Sequence, residues 1–429
     1  MTLWPLLILA ICFVFGVPVA FSMVGSVIPY FMVTPHLDVS LIIQKLVTNT
    51  ESTSLMAAPV FIFAGAIMNY SGVTTRLMNL AETLVGHLTG GLGHVNILLS
   101  TLMGGLSGSG VADAAIESKL LVPEMEKRGY SKAYSGAVTA ASACITPIIP
   151  PGVGLVVYAV LVQISVGKLL CAGYIPGFLM CISMMILNGY ISKKRGYKPS
   201  REKSASAKEI GSALRESSWA LVIPFGLIIG LRVGAFTATE GGAMIAAYSF
   251  IIGKFIYKEI KWSDVPKILL DAVYGTGPVI MVLCTTAVLS YYLSWERIPQ
   301  MMTQVLISVC HNKYIFLLLV NILMLILGMF LDSFACMIIV APLLAPVATA
   351  FGINLVHFGL VLCLNSAIGA ITPPFGSYIF LVSGTIHCRM EDMVHDLIPY
   401  ILVITLVLLI CTYCPWLVTI VPKLVYGSV

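Results

Sequence analysis

Long apolar stretches, separated by short polar breaks, follow one another along nearly the whole chain. They run over 3–33, 54–70, 92–111, 113–126, 131–170, 173–192, 217–232, 236–258, 262–293, 314–331, 334–350, 354–387 and 393–420. Most reach the length a helix needs to cross a bilayer, and they do not alternate as barrel strands do. Only helices or closed barrels satisfy their backbone in lipid, so the pattern predicts an all-α polytopic membrane protein. Two further pieces, 72–88 and 296–309, have apolar and polar faces at helical spacing and are expected to lie along the membrane interface.

Two of the long stretches break the rule for a buried helix. SACITPIIPPG (142–152) and SAIGAITPPFG (366–376) each run into adjacent prolines, Pro150-Pro151 and Pro373-Pro374. Prolines remove backbone donors and clash with the preceding turn, so both helices must stop there. Shifting the chain by 223 residues carries the first pair onto the second. The same shift carries Gly105 onto Gly328, Ala112 onto Ala335, Pro123 onto Pro346, Gly129 onto Gly352 and Gly136 onto Gly359. It also pairs the two amphipathic pieces, and it pairs 3–33 with 226–256 as a tight helix pair.

Composition and charge agree. Of 429 residues, 59% are hydrophobic and 10% charged, with mean hydropathy +0.98, which excludes a soluble domain of this size. The net charge of +5 comes from Lys and Arg in short loops and is no nucleic-acid signature. The most basic loop, 193–203, belongs in the cytoplasm, and so do 254–261 and 127–132. About five crossings then separate the two copies, so they are inverted in the membrane. The first hairpin enters from the cytoplasm and the second opens from the periplasmic side. The uncharged start is expected outside, as a retained segment and not a cleaved signal peptide. The eleven cysteines are scattered singly apart from Cys411 and Cys414, and imply neither a disulfide framework nor a metal site.

Inverted repeats with interrupted helices are the build of secondary transporters, with sites at the midplane. A helix stopped in the membrane leaves free carbonyls, which suit a cation, and free N–H groups, which suit an anion. The hairpin tips GGLSGSGVAD (104–113) and GMFLDSFA (328–335) are broken in the same way. Hydroxyl and amide residues gather beside these breaks: Ser107, Ser109, Ser142 and Thr146 in one copy, Ser333, Asn365, Ser366, Thr372 and Ser377 in the other. Asp332 stands at the second tip, in register with Ser109, and Asp113 follows the first. A carboxylate at that depth is functional by default, although Asp332 also suits a helix N-cap. Asp271 and Glu240 lie nearer segment ends and read as structural.

Two other classes need weighing. Gly105-Leu106-Ser107-Gly108 matches the motif around the nucleophile of rhomboid-like intramembrane serine proteases. A nucleophilic serine needs a base, however, and the histidines at 36, 87, 94, 311, 357, 387 and 395 all fall near segment ends. A channel would need a continuous pore. The chain also has no phosphate-binding loop for nucleotide.

The stretches GGLSGSGVADAAIES (104–118), AVTAASACITPIIPPG (137–152) and 328–376 resemble the large, DctM-like membrane subunit of tripartite ATP-independent periplasmic (TRAP) transporters, and the resemblance extends over essentially the whole chain. It implies no enzyme but a sodium-coupled elevator in the cell inner membrane, taking up an organic acid such as a sialic acid or a C4-dicarboxylate. It implies three partners besides the bilayer: the substrate, a periplasmic substrate-binding protein, and a small four-helix membrane subunit on a separate chain. Carried onto matching positions, one sodium site falls on Gly328, Gly369, Thr372 and Phe375. The other falls on Gly105, Ser107, Thr146, Ile149 and Gly152, with Thr146 standing where the second copy has Gly369. Substrate would meet Ser107, Ser109, Ser142, Asp332, Asn365, Ser366, Thr372 and Ser377. The corresponding division is scaffold and arm (1–91), first hairpin and broken helix (92–170), scaffold, cytoplasmic loop 193–216 and second arm (171–313), second hairpin and broken helix (314–387), and a C-terminal scaffold helix (388–429). A stand-alone sodium/carboxylate symporter of related fold is the alternative.

Overall fold

The structure is a computed structural model that describes residues 3–35, 37–51, 55–310, 312–374 and 376–427. Among these residues every regular element is a helix. Helices such as Ala207–Val233, Val265–Trp295, Lys313–Phe330 and Met390–Tyr413 are long and apolar enough to cross a bilayer. Large apolar side chains such as Phe21, Phe225, Ile229, Leu402 and Leu406 lie exposed on their outer faces. In water that would be untenable over such an area; against lipid tails it costs nothing.

The 223-residue register governs the helix boundaries. Gly110–Leu120 begins 223 residues before Ser333–Ala350, and Lys132–Ser142 begins 223 residues before Leu355–Gly369. The caps obey the same shift. Ser109 and Asp332 each accept a backbone N–H from their own helix, from Ala112 at 3.4 Å and Phe334 at 3.0 Å, and Ser131 and Asn354 cap the broken helices. Both proline pairs, Pro150-Pro151 and Pro373-Pro374, are cis. The chain is thus an all-α membrane protein of two inverted copies, each with a helical hairpin and a proline-broken helix.

The copies interlock. The helix that resumes after the second break, Ser377–Ile386, packs on the second arm of the first hairpin, Gly110–Leu120; its counterpart Val153–Leu161 packs on Ser333–Ala350. At their meeting point Cys144 Sγ lies 3.1 Å from the carbonyl of Ala367, the residue 223 positions on. Around this unit stand Ala238–Ile251 and Val265–Trp295, both packed on Ala57–Tyr70, with Val19–Val33 and Ser40–Thr50 packed on Val265–Trp295. The amphipathic pieces are the helices Val73–Val85 and Ile298–Val309. The first meets Ala57–Tyr70 at a bend of 71°, where Gly72 takes φ +73.

Several boundaries differ from those read in the sequence. The 393–420 stretch is two helices, Met390–Tyr413 and Pro415–Tyr426, because Pro415 cannot continue the first. The loop at 193–216 ends early, since Ser206 and Glu209 form a capping box that starts a helix at Ala207. The 113–126 stretch is interrupted at Leu121, and 131–170 ends in a separate short helix, Val166–Ala172. Ser40–Thr50 lies in a region too polar for the apolar pattern to mark. Tyr174–Arg195 and Met390–Tyr413, grouped with the scaffold in the sequence reading, pack instead on the hairpin unit. Buried hydrogen bonds hold them there: Tyr134 Oη lies 2.7 Å from Asn188 Oδ1 and 3.0 Å from Tyr400 Oη, and Arg195 pairs with Asp396.

Candidate functional site

Each hairpin tip is docked on the break of its own copy. In the first, Gly108 takes φ +58, and a Cβ there would stand 2.2 Å from the carbonyl oxygen of Pro151. The Gly108 carbonyl in turn accepts the N–H of Val153 at 3.3 Å. In the second, the end of Lys313–Phe330 meets the end of Leu355–Gly369 backbone to backbone. A Cβ on Gly328 would lie 2.8 Å from Gly369 Cα, and one on Gly369 would lie 2.6 Å from Gly328 Cα. Ser333 Oγ donates to the Ser366 carbonyl at 2.9 Å and ties the same tip down.

The first copy has Thr146 where the second has Gly369, and its close approach is made one residue earlier on the hairpin, at Gly104. A Cβ on Gly104 would stand 2.9 Å from Ile149 Cβ and 3.2 Å from the Thr146 carbonyl oxygen. Among the described residues the carbonyls of Gly105, Thr146, Ile149 and Gly328 accept no hydrogen bond. Backbone at this depth with uncommitted carbonyls is a ready cation ligand set. Gly152 caps the resuming helix Val153–Leu161, Thr372 Oγ1 donates to the Ile368 carbonyl at 2.7 Å, and Phe375 lies outside the described residues.

Both tips open on one cavity of about 990 Å³ between the hairpin unit and the surrounding helices. Ser107, Ser109 and Asp332 line it from the tips; Asn69 and Asp271 line it from the scaffold side. Tyr70 Oη donates to Asp271 Oδ2 at 2.6 Å. Two helices, Gly110–Leu120 and Ser333–Ala350, begin at this wall and present their positive ends to it. A smaller cavity of about 30 Å³ between the tips is lined by Ser109, Asp332, Ser333, Ser366 and Tyr378. The structure therefore brings Ser107, Ser109, Asp332 and Ser366 together.

Other candidates face inward. Ser142 Oγ lies 2.7 Å from Asn96 Oδ1, Asn365 Nδ2 donates to Asn321 Oδ1 at 2.8 Å, and Ser377 Oγ is buried without a partner. Asp113 accepts from Thr146 Oγ1 at 2.7 Å and sits behind the break, away from the cavity. Residues the sequence reading did not single out are Asn69, Asn96, Ser100 and Glu117. Asn96 and Ser100, like Asp113 and Glu117, stand at i,i+4 spacing, a signal that was open to view. Ser107 Oγ lies 3.4 Å from the Met103 carbonyl, and no histidine partners it among the described residues, so the serine-protease arrangement is not present.

Comparison with known proteins agrees with this geometry. The family model of the DctM component of tripartite ATP-independent periplasmic transporters matches residues 6–417. The sialic acid TRAP transporter permease SiaT of Haemophilus influenzae is 36% identical over 98% of this chain and 68% of its own length. The large permease SiaM of Vibrio cholerae, also named for sialic acid, is 35% identical over 96% of each chain. Among solved structures, the YdaH transporter of Alcanivorax borkumensis superposes with a TM-score of 0.67 over 95% of this chain and 97% of that one, at 14% identity, a likeness of fold alone. With both hairpin tips opening on one cavity and a family match over nearly its whole length, the chain belongs to the DctM family of TRAP transporter large permeases, a family of transporters and not of enzymes.

Proposed function

We propose that this chain is the moving and ion-binding part of a sodium-coupled importer of an organic acid. The observation that carries the reading is the convergence of both hairpin tips on one cavity, with uncommitted carbonyls behind it. Sodium occupies Gly328, Gly369, Thr372 and Phe375 in one copy, and Gly105, Ser107, Thr146, Ile149 and Gly152 in the other. The relatives named for sialic acid, and others named for C4-dicarboxylates and isethionate, support a carboxylate or sulfonate substrate. Substrate meets Ser107, Ser109 and Asp332. Among the described residues the cavity lining carries the carboxylates Asp271 and Asp332 and no Lys, Arg or His, so the bound cations and the two helix N-termini must balance an anionic substrate.

In this reading the hairpins, broken helices and the two helices packed on them slide as an elevator against the scaffold. With the basic loops 193–203 and 254–261 in the cytoplasm, the start of Val265–Trp295 is cytoplasmic. In this orientation Asp271 and Tyr274, which line the 990 Å³ cavity, lie toward the cytoplasmic end, which supports a mouth on that side. The structure would hold the inward-facing position in the inner membrane. A periplasmic binding protein delivers substrate, and a small membrane subunit braces the scaffold.

Asp332 separates capping from binding. Asparagine caps as well as aspartate, whereas alanine costs about 1 kcal/mol of cap. Asp332→Asn is therefore expected to keep the melting temperature of the purified chain and lose at least about tenfold in uptake rate, the effect of one lost charged contact. Uptake equal to wild type in Asp332→Asn would leave the carboxylate with capping alone. The reading as a whole is tested in proteoliposomes, where uptake should need a sodium gradient, the binding protein and the small subunit together; transport by this chain alone would point to a stand-alone symporter.

A further inference from the structure

Behind the first break lies a polar cluster that the cavity does not reach. Gly110–Leu120 turns Ala112 and Ala115 toward the cavity, and carries Asp113 and Glu117 on its other side, both at 0% exposure. Helix Gly91–Gly104 adds Asn96 and Ser100, Lys132–Ser142 adds Thr139 and Ser142, and the break adds Thr146. Ser100 Oγ lies 3.0 Å from Glu117 Oε2, with Ser142 Oγ 3.4 Å from the same oxygen. Thr146 Oγ1 lies 2.7 Å from Asp113 Oδ2 and 3.1 Å from the Ser100 carbonyl.

The hydrogens do not suffice for the oxygens. Each hydroxyl has one proton to give. Thr146 must choose between Asp113 and Ser100, and Ser142 between Glu117, Asn96 and the Thr139 carbonyl. Thr139 Oγ1 spends its own proton on the Ser135 carbonyl. Asp113 Oδ1 and Glu117 Oε1, both buried, are left with no partner. No ion pair involves either carboxylate among the described residues, and Tyr378, the titratable group facing this helix from Ser377–Ile386, brings no positive charge. Two carboxylates one helical turn apart, wholly out of water and short of donors, favour the arrival of a positive charge beside them.

We propose that Asp113 and Glu117, with the oxygens of Ser100, Ser142 and Asn96, bind a dehydrated alkali-metal cation inside the first hairpin, a site distinct from the carbonyl site at the break. The ligand set is all oxygen, with no nitrogen or sulfur, which suits a hard cation. An alkali cation is favoured over magnesium, which gives up its water reluctantly and keeps several waters when bound. The second copy cannot form the site, since the register places Cys336 and Val340 at the two carboxylate positions. The cation would travel with the hairpin and add a bound charge to the unit that moves.

The test is direct binding to the purified full chain in nanodiscs, by equilibrium dialysis with radioactive sodium and in parallel with potassium, choline replacing either to hold ionic strength. Glu117→Gln, which changes no atom of the break, is expected to bind one alkali cation fewer per chain than wild type, and to lose part of the salt-dependent rise in melting temperature. Ser100→Ala is expected to weaken the same step by about tenfold, as one hydrogen-bonding oxygen is worth. An unchanged number of bound cations in Glu117→Gln would overturn the proposal. So would an unchanged number with a flattened dependence of melting temperature on pH, which would make the occupant a proton. Binding is read without transport, so the site can stand or fall independently of sodium-driven uptake.

Discussion

Gly369→Ala is expected to push sodium-driven uptake to far higher sodium concentration while leaving a folded chain in the membrane. The added methyl would lie 2.6 Å from Gly328 Cα, 3.0 Å from its carbonyl carbon and 3.2 Å from its carbonyl oxygen. These are backbone atoms, so no side chain can swing aside. Overpacking of this kind costs about 1–3 kcal/mol, and here the cost falls on the geometry of the carbonyls proposed to hold sodium. Sodium affinity should drop by about ten- to a hundredfold, read as a rightward shift of uptake against sodium concentration. Gly384→Ala supplies the control: it lies in the helix beyond the same break and its Cβ would meet nothing within 4 Å. Equal shifts for the two substitutions would mean that the Gly328–Gly369 approach has no part in ion binding.

The elevator reading predicts an equally large effect from a bond across the domain boundary. Gly65 on Ala57–Tyr70 faces the first tip, and a Cβ there would lie 3.8 Å from Ser107 Cβ. That spacing falls within the range a disulfide spans without moving the backbone. In Gly65→Cys/Ser107→Cys, oxidation is expected to stop uptake and reduction to restore it, with the bridge verified by mass spectrometry. Single Ser107→Cys, treated in the same way, shows whether the substitution itself matters. Full uptake with the bridge intact would require transport without movement of the hairpin past this helix.

Much of this fold was legible because its signals are covalent. Proline positions fix where helices stop, and the 223-residue register of Gly105 and Gly328, or Pro150 and Pro373, needs no packing information. The cap at Asp332 was legible for the same reason, and the register carries it to Ser109. What failed depended on partners. Tyr174–Arg195 and Met390–Tyr413 are apolar over most of their length, and composition cannot say whether a helix packs on scaffold or hairpin. That is decided by the buried bonds of Tyr134 with Asn188 and Tyr400. Ser142 and Asn365 sit beside the breaks as expected, yet their side chains turn into interior networks, a rotation of helical phase that residue lists do not carry. Glu117 escaped because one carboxylate near a hairpin end reads as an interfacial charge until Asn96, Ser100 and Ser142 are seen around it.

The most direct test of the central claim is substrate accumulation in proteoliposomes containing this chain and its small subunit, with the binding protein and substrate outside, on imposing and then reversing a sodium gradient. The account predicts concentrative uptake with sodium directed inward and none when the gradient is dissipated, when potassium replaces sodium, or when either partner is omitted. Accumulation of the same extent without a sodium gradient would contradict it.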